Sequence, residues 1–159
     1  MKICSAIFVA IFGIFFVGCA TVGMPNESKE NDAIAKQFAK PTDQKANLYL
    51  YRPSSWGANA KIDLDVNGKR IGSLTGSEFV LLKGLKPGQT GIMGSTNLQG
   101  TGENCLVEID LKANENNYVL VQIQSGWWSH GCELSVTQDE VKAQKDIKKS
   151  DLVKSFYKE

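Results

Sequence analysis

The sequence predicts a mainly β domain, an antiparallel β-sandwich or small open barrel of about eight short strands with a C-terminal helix. Three observations lead there. Apolar residues recur at every second position in several runs. Glycine, proline and asparagine separate those runs at short intervals. From Thr137 onward the pattern changes to helical spacing.

The chain opens differently. Residues 6–17 are apolar, follow Lys2 and lead into Phe16-Val17-Gly18-Cys19. A basic start, a greasy middle and a small residue before a cut predict an export signal over residues 1–18. The run is shorter than the about 20 residues a membrane-crossing helix needs, and it lacks the polar face of a surface helix. An ordinary secretion signal cut after Ala20 is the remaining alternative, and it leaves Cys19 without a role. The four-residue run resembles the lipobox of bacterial lipoproteins, with Phe16 where leucine is usual. That resemblance implies cleavage after Gly18 and acylation of Cys19 by a diacylglycerol and a third chain. In a Gram-negative host, Ala20 would imply sorting to the outer membrane, facing the periplasm.

Residues 19–45 read as a lipidated tether, polar and without an apolar face over 24–31. A short helix is expected within it, capped by Asp32, with Ile34, Ala35 and Phe38 on one side and Pro41 at its end. The β domain is expected over 46–137. Leu48 and Leu50 alternate with Tyr49 and Tyr51. Ile62, Leu64 and Val66 alternate with Lys61, Asp63 and Asp65, and Asn67-Gly68 follows, the strongest hairpin signal in the chain. The return strand is 69–74 and the next 78–82. Residues 83–88 form a turn, and 89–97 a strand broken by Gly91 and Gly94. Residues 99–103 form a loop. Strands over 105–111 and 118–124 flank the turn Asn114-Glu115-Asn116-Asn117. Residues 125–131 form a loop and 132–136 the last strand.

A C-terminal helical segment over 138–159 is expected to cover an edge or mouth of the β domain. Thr137 and Glu140 fit a capping box. Val141 and Ile147 mark the apolar side to about Lys149, and Ser150 caps a last turn carrying Leu152, Val153 and Phe156.

Lys2 is the one charge in the signal. The remaining 17 acids therefore face an equal number of bases, which argues against nucleic acid as a partner. Of four cysteines, Cys4 leaves with the signal and Cys19 takes lipid. Cys105 and Cys132 remain, and in an oxidising compartment they are expected to form a disulfide.

No zinc, redox or phosphate-loop motif occurs, so neither cofactor nor metal is expected. His130, the sole histidine, stands in Trp127-Trp128-Ser129-His130-Gly131-Cys132. A triad with Ser125 or Ser129 has only its residue types in favour, and a polar loop histidine is the plainer reading. Adjacent residues of an extended segment face opposite ways. One of Trp127 and Trp128 is then free to meet a sugar ring or a partner protein, unless both pack. Tyr49, Tyr51 and Arg52 are read as core or cation–π packing.

A further pattern spans Phe38, Pro41, Ala46, Leu48-Tyr49-Leu50-Tyr51-Arg52, Val66-Asn67-Gly68, Ile71-Gly72 and Leu85-Lys86-Pro87-Gly88. Across about residues 33–149 it resembles bacterial lipoproteins carrying the domain of unknown function 2846, with Asn67 where aspartate is usual. The resemblance implies a lipoprotein with a sandwich fold and implies no activity. The leading expectation is a non-enzymatic, lipid-anchored envelope protein that binds an envelope component or supports an assembly. The alternatives are a peptidoglycan- or carbohydrate-binding module using Trp127 and Trp128, and a hydrolase using His130.

Overall fold

Two sheets face each other across the apolar residues that the alternating runs supply. The computed structural model describes residues 23–96, 103–125 and 130–157. Residues 1–22, with the expected signal and Cys19, and Trp127, Trp128 and all of the expected 99–103 loop but Glu103 lie outside the described residues. Chain order is α1 (Lys29–Ala35), β1 (Ala46–Arg52), β2 (Ile62–Val66), β3 (Lys69–Leu74), β4 (Glu78–Leu85), β5 (Gly88–Thr96), β6 (Glu103–Leu111), β7 (Asn116–Ser125), β8 (His130–Val136), α2 (Glu140–Ile147) and β9 (Asp151–Leu152).

One sheet runs β8-β7-β1-β4-β9 and the other β3-β2-β5-β6. The arrangement is a sandwich and not a closed barrel. Leu48, Leu50, Val80, Leu82, Val119 and Val121 of the first sheet meet Ile62, Leu64, Ile71, Ile92 and Ile109 of the second. The alternating residues of the first sheet, Tyr49, Tyr51, Phe79 and Tyr118, form an outer aromatic layer. Ala35, Phe38, Ala143 and Ile147 cover it. Every residue of β1 is therefore buried: leucines serve the sandwich and tyrosines the helices.

Several expectations are corrected. The first sheet is mixed, because β1 pairs with β7 in parallel and β4 with β9 in parallel. The chain leaves β6 in the second sheet and enters the first beside β1, from β1's own starting end. Helix α2 covers the outer sheet face, since Ala143 and Ile147 seat on the tyrosines. Its cap is Asp139, whose carboxylate accepts from the Lys142 N–H at 2.9 Å. Thr137 still belongs to the sheet, donating its N–H to the Tyr118 carbonyl with its hydroxyl 3.1 Å from that of Tyr51. Helix α1 is capped by Ser28, not Asp32, and ends where Phe38 takes a φ of 54°. The Asp32 carboxylate instead accepts from the Leu152 N–H at 2.9 Å. The last helical turn is replaced by β9, because Ser77, just before β4, and Phe79 within it offer their carbonyls to the Asp151 and Val153 N–H groups. Strand β5 runs unbroken through Gly91 and Gly94, and β4 runs on to Leu85.

From Gly23 on, the expected tether is built into the fold. Met24 is 7% exposed and sits over Gly72, where a Cβ would lie 2.1 Å from its sulfur. Gly72 has a φ of 140°, open to glycine alone, so backbone and contact demand the same residue. The Glu27 N–H donates to Leu152, and the Lys154 N–H to Pro25. Farther on, the buried Asn116 amide donates to the Phe38 carbonyl at 2.8 Å, clamping residues 38–39 against β7. The predicted Asn67-Gly68 hairpin is present, with φ of 49° and 73°.

Candidate functional site

Cys105 and Cys132 are joined, with their Cα atoms 5.6 Å apart. The bond ties β6 to β8, the edge strands of opposite sheets. Gly94 makes room for it: a Cβ there would lie 2.7 Å from the Cys105 sulfur. On the far side, residues 153–157 strap the other two edges together. Val153 donates to Phe79 in β4, and Phe156 to Ile71 in β3.

His130 begins β8, its backbone paired with Ser125. Tyr49, Tyr51 and Arg52 are core residues. Burial raises the Tyr49 and Tyr51 hydroxyl pKa values, and pushes that of Tyr118 up to about 12. None of the three is an acid or base near neutral pH. Arg52 is 1% exposed, and its guanidinium donates to the carbonyls of Ala60, Leu74, Trp56 and Gly57. It fixes the 53–60 loop, from which Trp56 projects 55% exposed. Asp63 alternates with the buried residues of β2. It lies on the open face of a strand flanked on both sides, paired with Lys61 and Arg70.

A depression of about 450 Å³ lies where β6 turns into β7 and is lined by Glu108, Asp110, Glu115 and Glu140 among others. Its polar groups serve one another. Lys112 pairs with Asp110, and the Tyr118 hydroxyl donates to Glu140 and accepts from Gln144. Among the described residues, no group of three or more His, Cys, Asp or Glu is placed to hold a metal.

The feature with unmet bonding capacity is the outer edge of β4. Strand β9 pairs only with Glu78 and Phe79. The antiparallel ladder to β1 uses the N–H and C=O groups of alternate residues. Phe79 turns its carbonyl away from β1, so Leu81 turns its own the same way; the ladder then shifts register between Leu82 and Leu85. Among the described residues, no strand pairs with β4 beyond Phe79. Two depressions of about 320 and 300 Å³ flank this edge and share Ile34, Ala35, Leu81 and Lys83. The floor of the larger is apolar. Around the larger stand Lys40, Lys45 and Lys83, all exposed, with Asp43 the one acid.

Sequence reasoning missed this edge. The run Phe79-Val80-Leu81-Leu82 announces a strand, but which neighbour stops short depends on β9, which the sequence presents as helix. Trp56 was missed because its loop follows Pro53 without a periodic pattern.

No known protein family matches the chain. A protein of Haemophilus influenzae, described only as uncharacterized, is 27% identical over 131 residues, which span 82% of this chain and 75% of that protein.

Proposed function

We propose that the protein is a non-enzymatic lipoprotein of the cell envelope, anchored through acylated Cys19, that receives an extended acidic segment of another envelope protein along the free edge of β4. The observation that carries the docking half is that edge, where Leu81 turns its backbone groups outward between two depressions, the larger of them lined by Lys40, Lys45 and Lys83. An added strand gains affinity from main-chain hydrogen bonds and specificity from alternate side-chain pockets. Lysines above the edge favour carboxylates on the incoming chain. The compartment half is supported by the disulfide between sheets, a bond at home in oxidising surroundings. It is supported too by the lipobox-like run Phe16-Val17-Gly18-Cys19. In a Gram-negative host the place is the outer membrane, facing the periplasm. Among the described residues no helix is long and apolar enough to cross a membrane.

The test is photo-cross-linking in living cells from position 83, with the captured residues mapped by mass spectrometry. The expected catch is an extended acidic segment of one envelope protein. Leu81→Pro removes an outward N–H that the fold does not use, as edge strands permit, and is expected to abolish capture while the unfolding temperature holds. Equal capture from position 141 on α2, or capture unaffected by Leu81→Pro, contradicts the reading.

A second reading has one observation in its favour. Exposed Trp56 stands at the sandwich end where β7 stops and β8 starts, the end that carries the sequence Trp127-Trp128. A sugar-binding surface there predicts that Trp56→Ala and Trp127→Ala each lower retention on purified peptidoglycan. Unchanged retention removes it.

A further inference from the structure

We infer that the strap over residues 153–157 is the membrane-facing foot of the domain, with Phe156 seated at the boundary between headgroups and acyl chains of the leaflet that holds Cys19. This rests on the proposed acylation of Cys19 and adds to it an orientation and a contact.

Chain length sets the geometry. Gly23 is fixed, because Met24 is buried over Gly72 and the Pro25 carbonyl accepts from the Lys154 N–H at 2.9 Å. Only residues 20–22 separate Cys19 from Gly23. Fully extended, that link spans about 14 Å. A domain so tethered cannot turn freely above the bilayer, and the side carrying Gly23 and the strap faces the lipid.

That side presents the chemistry of a membrane interface. Phe156 is 62% exposed although its own N–H is bonded to the Ile71 carbonyl, so the backbone is held while the ring projects. Tyr157 lies half-buried beside it, with the Lys69 ammonium 5.7 Å from the ring centroid. Lys154 is exposed on the same strap. An aromatic ring at acyl-chain level with flanking lysines among the headgroups is the arrangement that anchors proteins at bilayer interfaces. Of the described acids nearby, Glu78 accepts from the Thr75 N–H and Glu27 from the Asn31 amide. Val141, 79% exposed on α2, projects from the outer face of the other sheet and makes the natural control.

The test uses full-length protein purified from membranes and reconstituted in vesicles of phosphatidylethanolamine and phosphatidylglycerol. Phe156→Cys, Lys154→Cys and Val141→Cys each add one free thiol for an environment-sensitive fluorophore, and two positions on the strap guard against one variant failing to fold. The expected result is a blue-shifted emission at 156, quenched by spin-labelled lipids, with weaker quenching at 154 and none at 141. Intact mass of the same samples reports acylation separately. Acylated protein whose strap label is quenched no more than the label at 141 overturns this inference and leaves the anchor standing. An unacylated chain overturns both.

Discussion

Arg52 carries its charge into a site 1% exposed and spends it on four backbone carbonyls rather than on a carboxylate. Burial lowers its pKa, and the charge of Glu78 works against that. A lysine has three donors on a point charge and cannot reproduce the planar fork. Arg52→Lys is expected to lower stability by about 2–4 kcal/mol, because buried carbonyls lose their donors. Urea unfolding checks the loss, and faster proteolysis within residues 53–60 checks its location. The tyrosines behind β1 give a pH signature. Burial raises all three hydroxyl pKa values, that of Tyr118 to about 12, against about 10 in an unfolded chain. The folded state therefore holds these protons more tightly. The stability they contribute is full below pH of about 10 and is lost as pH rises toward the folded values. Urea midpoints are expected to be flat with respect to these groups below that point and to fall above it, less steeply in Tyr118→Phe.

At the scale of elements, the disulfide and the strap close opposite sides of the sandwich. The bridge closes a sequence separation of 27 residues, for which chain entropy gives roughly 3–4 kcal/mol. Unfolding with and without reductant is expected to differ by about that much. Gly94→Ala is expected to cost about 1–3 kcal/mol of overpacking, and less when Cys105 and Cys132 are both alanine, since the sulfur it would strike is gone. Equal cost in both backgrounds would place the strain elsewhere. The legible elements were those whose signal is local. The Ile62, Leu64, Val66 alternation and Asn67-Gly68 specify a hairpin from within, and the pairing of Cys105 with Cys132 follows from elimination. The illegible ones depend on distant partners. Leu152 and Val153 read as helix and become strand because Ser77 and Phe79 offer carbonyls. Polar residues 25–32 read as tether and are held by Leu152 and Lys154. Parallel pairing of β1 with β7 leaves no trace in either run.

For the whole molecule, near-neutral total charge conceals a division. Glu108, Asp110, Glu115 and Glu140 gather at the β6–β7 turn, whereas Lys40, Lys45 and Lys83 gather beside the free edge of β4. Composition shows the sum and not the separation, which is why the candidate site stayed hidden while the fold class did not. The proposed orientation on the membrane and the proposed place in the envelope both depend on the proposed modification of Cys19. Intact-mass measurement of protein extracted from membranes tests it most directly. The account predicts a chain that begins at Cys19, carries acyl chains and is two hydrogens lighter for the Cys105–Cys132 bond. A chain that keeps residues 1–18, or one whose Cys19 bears no lipid, would contradict it.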